Sequence, residues 1–181
     1  MIEQDRRTVW QIDPKHTLVE FAVSNVAITT IKGRFTGVSG TIRADEADPA
    51  NASVAVEIDA ASLDTSDGPR DAHLRDSEFL DVERFPTLTF DSTRVEPVGP
   101  DRLRVHGDLT IRGVSCQVVL DTRVNGRARN FYGFEVVGFT AETRIRRQDF
   151  GLTWNHRGEA GDVLVGDTVR IILEIQVIRQ D

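Results

Sequence analysis

The sequence predicts an all-β fold, an antiparallel up-and-down barrel with one short helix. Apolar and polar residues alternate with period two along most of the 181 residues, which places successive side chains on opposite faces of a sheet. Turn signals separate the alternating runs, and one segment near residues 66–81 lacks the alternation. A closed barrel is favoured over a two-sheet sandwich because closure removes exposed strand edges.

The clearest strand patterns cover residues 19–23, 54–58, 103–111 and 118–124. Arg112 and Gly113 read as a tight hairpin turn, so the two strands that flank them should be antiparallel neighbours. The pattern over 131–145 spans about 15 residues, roughly 50 Å, and such a strand should bend at Gly133 or Gly138. A last strand covers 169–177. Further turn signals are Asp48-Pro49, Gly99-Pro100-Asp101, Asn125-Gly126 and Gly161-Asp162.

One helix is predicted in the segment without alternation. It begins near residues 66–69, where a capping side chain is followed by an early proline, and Pro86 forces the chain out of it. Asp71 and Arg75 have the spacing of an i,i+4 ion pair. We expect this segment to lie across one mouth of the barrel.

Composition indicates a single domain over residues 1–181. The net charge is −7 and the isoelectric point is near 5.1. The chain therefore lacks the overall positive charge that would draw it to nucleic acids or to anionic lipid surfaces, and nucleic acid is not expected as a partner. Cys116 is the only cysteine, so an intramolecular disulfide is excluded. We expect it to be a buried structural thiol. The first ten residues carry charges where a signal peptide needs an apolar region, and we expect a cytoplasmic location.

No motif of metal, cofactor or nucleophilic chemistry stands out. The four histidines His16, His73, His106 and His156 are far apart and predict no metal site. Nucleophile elbows and glycine-rich phosphate loops are absent, so no cofactor is expected.

Several short motifs follow one another in a fixed order along the chain. They lie in segments 10–16, 33–35, 39–42, 70–75, 85–90, 107–114, 149–155 and 165–169. Together they resemble the YceI-like family of lipocalin-fold, polyisoprenoid-binding proteins, and the resemblance covers nearly the whole chain.

The resemblance implies an extended, lipocalin-like barrel whose bore accepts a long-chain isoprenoid or a similar amphiphile. We expect eight antiparallel strands, with the short helix capping one end. Many members of the family are periplasmic, whereas this chain shows no leader, so storage or sequestration inside the cell is the expected role. Isoprenoid, quinone and fatty acyl lipids all suit such a bore.

Aromatic residues are the main candidates for the cavity lining, although each also suits a filled core. The resemblance favours several of them facing a ligand. The predicted lining residues are Phe21, Val23, Phe35, Phe79, Leu80, Phe85, Phe90, Leu109, Phe134, Phe139, Phe150 and Trp154.

Arg70, His73 and Arg75 are candidates to meet a phosphate or carboxylate head group at the mouth. The alternative is a solvated helix face with local ion pairs, because acidic residues surround them.

Two other functions remain open at this point. An enzyme could use the barrel cavity, with His73 or His16 beside an inward carboxylate as acid and base. A filled barrel acting as an interaction protein would have no cavity. An exposed edge near residues 26–31 could also pair two copies into a homodimer.

Overall fold

Eleven strands, one α-helix and three short 3-10 helices form the part of the chain described by the computed structural model, residues 4–156 and 165–181. The helix α1 is Gly68–Arg75. The strands are β1 Thr8–Ile12, β2 Leu18–Asn25, β3 Thr29–Phe35, β4 Val38–Asp45, β5 Asp48–Asp59, β6 Leu63–Asp64, β7 Thr87–Gly99, β8 Arg102–Ile111, β9 Val114–Arg129, β10 Glu135–Arg146 and β11 Val165–Arg179.

The strands close into a barrel in which every pairing is antiparallel. The ring runs through β1, β4, β5, β7, β8, β9, β10 and β11, and then returns from β11 to β1. Eleven strands make eight barrel staves because three of the staves are each interrupted once. Strand β2 continues the direction of β1, β3 leads into β4, and β6 continues β5. The predicted eight-stranded up-and-down barrel is therefore confirmed, and the two-sheet sandwich is wrong.

Two glycines lie where the strands turn or change register. Arg112 and Gly113 have φ values of 50° and 72°, and this two-residue left-handed turn joins the paired strands β8 and β9 as predicted. The register between β9 and β10 shifts at Gly138, which confirms a bulge there.

Three expected turns or strand boundaries differ from the structure. Strand β5 begins at Asp48, so the turn expected at Asp48-Pro49 lies at residues 46–47. Strand β10 begins at Glu135, so residues 131–134 belong to a loop. Asn125 and Gly126 do not form a turn: β9 continues through them because the extra residue is absorbed in the bulge. The turn expected at Gly161-Asp162 lies outside the described residues.

The connections give the barrel two different ends. One end, here called the helix end, carries the turn at 26–28, the long segment 65–86 with α1, and the β8–β9 turn. The other end, here called the open end, carries the short connections 46–47, 100–101 and 130–134, together with the outer ends of β1 and β11.

Helix α1 begins where the sequence predicts. The carboxylate of Asp67 accepts a hydrogen bond from the backbone N–H of Arg70 at 3.0 Å, and Pro69 occupies the first turn. The expected Asp71–Arg75 ion pair is wrong, because Asp71 instead accepts hydrogen bonds from the backbone N–H (3.0 Å) and the hydroxyl of Thr65. Asp71 therefore ties the helix to the end of β6.

Two groups of buried apolar residues pack inside the barrel. The larger group lies toward the helix end and includes Leu80, Phe90 and Phe150, with Leu74 and Val82 of the long segment packed against it. The smaller group includes Trp10, Val19 and Val177. No helix among the described residues has the length and apolar character to cross a membrane.

Candidate functional site

A cavity of about 530 Å³, here called the outer chamber, occupies the half of the bore next to the open end. Its volume falls in the range of ordinary small-molecule sites. The lining is mostly aliphatic: Trp10, Ile42, Ala44, Asp45, Glu46, Pro49, Ala52, Val54, Val95, Pro100, Leu103, Val105, Leu120, Thr122, Val124, Arg127, Val137, Phe139, Ala141, Ile175 and Val177.

Small side chains explain why the outer chamber is empty of protein atoms. Ala44, Ala52 and Ala141 face it from three different strands, and Ala141 is only 4% exposed. An eight-stranded barrel is just wide enough for its own large side chains to fill it, so inward alanines leave space.

A second cavity of about 110 Å³, here called the inner chamber, lies further toward the helix end. Its lining is Ile12, Val19, Glu20, Phe21, Phe35, Val38, Val54, Val56, Ile58, Leu88, Phe90, Leu109, Ile111, Val118, Leu120, Thr143, Ile171, Leu173 and Ile175. Three phenylalanine rings, those of Phe21, Phe35 and Phe90, line this part of the bore. The rings of Phe21 and Phe35 lie 5.7 Å apart between centroids.

Two glycines make room for these rings. A Cβ atom on Gly107 would lie 2.5 Å from Cζ of Phe90, and one on Gly33 would overlap the ring of Phe21. The aromatic rings therefore rest directly on the backbone of the neighbouring, paired strand. Close packing at the helix end and open space at the other end follow from this distribution of side-chain size.

Three side chains border both chambers. Val54, Leu120 and Ile175 belong to β5, β9 and β11 and appear in both linings. They form an apolar constriction between the larger and the smaller space, and we call them the constriction below.

The rim of the outer chamber is charged, in contrast to its walls. The guanidinium of Arg127 pairs with Glu46 at 2.5 Å and with Glu135, and Arg179 donates to the other oxygen of Glu135 at 3.0 Å. The same guanidinium lies 5.4 Å from the centroid of the Trp10 ring. Glu46 follows β4 and Arg127 lies on β9, which stand on opposite sides of the ring, so this pair crosses the mouth.

The ion pairs at the rim shift the ionisation of its members. Hydrogen bonds from Arg127 lower the pKa of Glu46, and hydrogen bonds from Arg127 and then Arg179 lower the pKa of Glu135. The same contacts raise the pKa of Arg127. Glu46, Glu135 and Arg127 are therefore charged at neutral pH.

The wall of the outer chamber is apolar apart from Thr122 and the charged rim. The hydroxyl of Thr122 donates to the carbonyl of Leu120 at 3.1 Å on its own strand. Within residues 4–156 and 165–181, every buried side-chain nitrogen or oxygen has a hydrogen-bond partner. A molecule bound in the outer chamber would therefore meet mainly apolar contact along the walls and charges at the rim.

The helix end is closed by an aromatic cluster. The His73 ring lies edge-on to Phe79 and to Trp154, with centroid distances of 5.0 and 4.8 Å, and Phe79 and Trp154 are 5.2 Å apart. These contacts join the segment after α1 to the segment after β10.

The two arginines of the helix segment use their donors within the protein. Arg70 donates to the hydroxyl and the carbonyl of Thr65, each at 2.8 Å. Arg75 donates to the carbonyl of Ala61 at 3.0 Å and to that of Leu63. Both guanidinium groups thus fasten α1 to the chain that precedes it.

One group of residues in the described part of the chain has the arrangement of possible metal ligands. Ligand atoms of His73, Asp76 and Glu78 lie within 4.8 Å of one another. Both carboxylates are exposed, and Asp76 also accepts from the backbone N–H of Glu78 at 2.9 Å. The expectation that the protein binds no metal stays a prediction.

His16 has a carboxylate partner, but the pair lies away from both chambers. Its Nδ1 is 2.7 Å from Asp13, at the break between β1 and β2. Burial alone would raise the pKa of Asp13, but hydrogen bonds from His16, the Lys15 backbone and Gln176 outweigh it, and the pKa is lowered. Among the described residues, neither chamber has a histidine in its lining.

Comparison with known proteins adds a family to this geometry. The family model for the YceI-like domain matches residues 10–177. The chain belongs to the YceI-like family. The Protein YceI of Salmonella newport is 37% identical over 139 residues, which cover 77% of this chain and 72% of the relative.

Solved structures also resemble this YceI-like chain. The crystal structure of BcnA from Burkholderia cenocepacia matches with a TM-score of 0.80 and 25% identity, covering 91% of this chain and 98% of BcnA. A domain from Saccharophagus degradans, described as polyisoprenoid-binding and implicated in plant cell wall breakdown, matches with a TM-score of 0.68 and 17% identity. That match covers 94% of this chain and 98% of the domain, and it shows a shared fold.

Five of the twelve predicted lining residues lie in the chambers of the YceI-like barrel. Phe21, Phe35, Phe90 and Leu109 line the inner chamber, and Phe139 lines the outer chamber. The other seven have places outside both linings: Phe79 and Trp154 in the aromatic cluster, Leu80 and Phe150 in the buried core, Phe85 beneath Arg84, Val23 on β2, and Phe134 exposed in the β9–β10 loop.

Most of the outer chamber was missed by sequence reasoning, which concentrated on aromatic residues. Trp10 and Arg127 are the clearest omissions, because they lie together at the mouth. The inward alternation of 103–105 and 120–124 was visible in the sequence and could have identified Leu103, Val105 and Val124. Nothing in the sequence indicates that the turn after β4 brings Glu46 across to Arg127.

Proposed function

We propose that this YceI-like protein is a non-catalytic carrier that holds a long-chain isoprenoid or a similar amphiphilic lipid in its bore. The outer chamber is the observation that carries the proposal: it is large, apolar along its walls and open at one end. The constriction and the inner chamber would receive the far end of a longer chain.

The energetics of such binding need no polar contact at depth. Burying one methylene group stabilises by about 0.8 kcal/mol, so ten give roughly 8 kcal/mol before the cost of association. Micromolar affinity is within reach on this basis. Neighbouring chains that differ by one methylene would differ by only ~1 to 3 kcal/mol, so the bore should accept a class of lipids rather than a single one.

The charged rim supports an orientation for the bound lipid. A polar head group would remain at the open end beside Arg127, Glu46 and Glu135, where the ionised side chains lie. Arg70 and Arg75, the candidates predicted for this role, lie at the helix end with donors engaged by backbone carbonyls or Thr65. The rim is therefore the better supported site for a head group.

Comparison supports the same class of ligand. The domain from Saccharophagus degradans that shares the fold is described as polyisoprenoid-binding. A cavity enzyme has less support, because His16 and His73 lie outside the linings of both chambers in the described part of the chain.

Native mass spectrometry of protein purified from its own host tests the proposal. A stoichiometric additional mass that organic extraction releases as an isoprenoid or acyl lipid would support the carrier function and name its ligand. A protein that is empty, and that also fails to take up added polyprenyl lipid, would contradict it.

A pair of alanine variants makes the test specific to the bore. Ala141→Phe places a ring in the outer chamber and should abolish uptake. Ala55 is exposed on the outer face of β5, so Ala55→Phe is the matched control, and this variant should take up lipid as the wild type does. Near-native circular dichroism of both variants would show that the barrel remains folded, and Val124→Phe, nearer the mouth, offers a second block if Ala141→Phe does not fold.

The cytoplasmic location and the homodimer stay predictions. The backbone of Thr29–Gly33 in β3 has a paired neighbour on one side only among the described residues, since β6 pairs with Arg34 and Phe35. Cell fractionation and sedimentation at high concentration test the two predictions.

A further inference from the structure

The β9–β10 loop, residues 130–134, exposes three aromatic side chains at the open end. Phe131 is 97% exposed, Tyr132 is 81% exposed and Phe134 is 51% exposed. The rings of Phe131 and Tyr132 touch edge to face, with centroids 5.8 Å apart. Exposed aromatic residues grouped at one place on a surface mark an interaction site more often than isolated ones do.

Hydrogen bonds hold this loop in one shape. The side-chain carbonyl of Asn130 accepts from the backbone N–H groups of Tyr132 and Phe134, each at 3.0 Å. The backbone N–H of Gly133 donates to the backbone carbonyl of Asn130 at 2.9 Å, and the guanidinium of Arg129 donates to the carbonyl of Gly133 at 2.9 Å. The loop is thus a preformed convex tip, and little conformational entropy would be lost when it binds.

The tip stands beside the mouth of the outer chamber. The strands that carry it, β9 and β10, also contribute Val124, Arg127, Val137 and Phe139 to the chamber lining. Arg129 has no carboxylate within 4.0 Å among the residues that the structure describes, and it therefore adds an unpaired positive charge at the base of the tip.

We infer that Phe131 and Tyr132 insert into the interface of a phospholipid bilayer and seat the open end of the barrel on the membrane, with Arg129 beside the lipid phosphates. A convex tip with two adjacent rings suits penetration between lipid head groups better than docking into a flat protein surface. Tyrosine, with an apolar ring and a polar hydroxyl, is enriched at this depth of membranes. Arginine suits contact with phosphate oxygens.

The net charge of −7 bears on the orientation of the contact. Most of the molecule would be repelled by an anionic surface, so the approach should be confined to the place where aromatic rings and an unpaired arginine coincide. A lipid leaving the bilayer would then enter the outer chamber without crossing bulk water. The inference deepens the proposed function, but the membrane contact can be measured without any ligand in the bore.

Flotation with phospholipid vesicles tests the contact. The purified protein is mixed with vesicles of phosphatidylcholine alone and of phosphatidylcholine with one quarter phosphatidylglycerol. We expect the wild type to float with both, and the double variant Phe131→Ser, Tyr132→Ser to lose at least tenfold in partitioning. Arg129→Gln should weaken binding to both kinds of vesicle, and more strongly to the anionic ones.

Ile28 provides the matched control at the other end of the barrel. It is 83% exposed in the turn between β2 and β3, and Ile28→Ser should leave partitioning unchanged. Three results would overturn the inference: a wild type that does not float, a double variant that floats equally well, or an Ile28→Ser variant that loses binding to the same extent. Wild-type self-association in sedimentation that the double variant abolishes, without flotation, would assign the tip to a second copy instead.

A loading assay separates this inference from the proposed function. The double variant should still take up a lipid dispersed in water at the wild-type level, while its extraction of the same lipid from vesicles should slow at least tenfold. A wild type that floats but never loads would support the membrane contact and contradict the carrier function.

Discussion

The guanidinium of Arg127 covers the Trp10 ring at 5.4 Å while its two ion pairs reach Glu46 and Glu135. The pair with Glu46 joins opposite sides of the barrel. Arg127 thus lies at the mouth of the outer chamber, where a molecule that enters or leaves passes its ion pairs.

Arg127→Ala should therefore accelerate exchange of a bound lipid. Loss of the contact with Trp10 is worth about 1 kcal/mol, which corresponds to roughly a fivefold faster dissociation rate. Stopped-flow displacement of a fluorescent fatty acid measures the rate. Arg127→Lys keeps the charge but not the planar contact with Trp10, so its dissociation rate should lie between those of the wild type and Arg127→Ala. Equal rates in all three proteins would show that Arg127 does not control exchange.

Low pH should also accelerate lipid exchange through the mouth of the outer chamber. The pKa values of Glu46 and Glu135 are lowered in the folded protein, so both carboxylates stay ionised, and their pairs with Arg127 persist, above the ordinary value of 4.5. The pairs are lost as the pH falls through the lowered values. Exchange measured from pH 7 to pH 3 should be constant at first and rise below pH 4.5, and in Arg127→Ala this rise should disappear.

Gly107→Ala should destabilise the inner half of the barrel. The added Cβ would meet Cζ of Phe90 at 2.5 Å and the backbone carbonyl of Asp91 at 2.6 Å, and the carbonyl cannot move without breaking the sheet. We expect a loss of about 2 to 3 kcal/mol in the free energy of unfolding, measured in urea. Gly99→Ala, whose nearest atom would be 3.6 Å away, should change it by less than about 0.5 kcal/mol.

Arg75 distinguishes a structural role from contact with a head group. Its hydrogen bonds to Ala61 and Leu63 predict that Arg75→Ala lowers the free energy of unfolding by about 1 to 3 kcal/mol. Lipid affinity, measured by titration at a temperature where the variant is folded, should stay within about twofold. A large loss of affinity with unchanged stability would restore Arg75 as a head-group ligand.

Asp13→Asn tests the break in the first barrel strand. The folded-state pKa of Asp13 lies below its ordinary value of 3.8, so the carboxylate stabilises the fold above that pH, and this stabilisation is lost as the pH falls through the lowered value. The variant should be less stable than the wild type by about 1 to 2 kcal/mol at pH 7. The difference should shrink as the pH falls from 3.8 through the lowered folded-state pKa of Asp13, and a difference that does not depend on pH would show that the charge is not responsible.

Much of the fold could be predicted because its signals are local. Alternation in 54–58 and 103–111 depends only on which face of a sheet is buried, and the turn at Arg112 and Gly113 depends on two adjacent residues adopting positive φ. The cap at Asp67 is equally local. Such features need no knowledge of distant parts of the chain.

The site was harder to predict because it depends on register and on distant contacts. The bulge opposite Gly138 leaves Asn125 of β9 unpaired, so the inward positions of β9 change from Val124 to Arg127. The start of β10 at Glu135 leaves Phe134 in the loop. Arg75 finds its acceptors twelve and fourteen residues earlier in the chain. Which mouth stays open follows from how the long segment 65–86 folds back, and alternation carries no information on this.

Closure of the barrel through β1 and β11 places both ends of the described chain at the same mouth, with Trp10 paired to Arg179. An affinity tag or a fluorescent protein fused at either terminus would therefore stand next to the outer chamber and the loop of Phe131 and Tyr132. A reporter inserted in the hairpin at 26–28 would sit at the far end of the barrel. The choice of fusion site thus decides whether a labelled protein reports on lipid exchange or obstructs it.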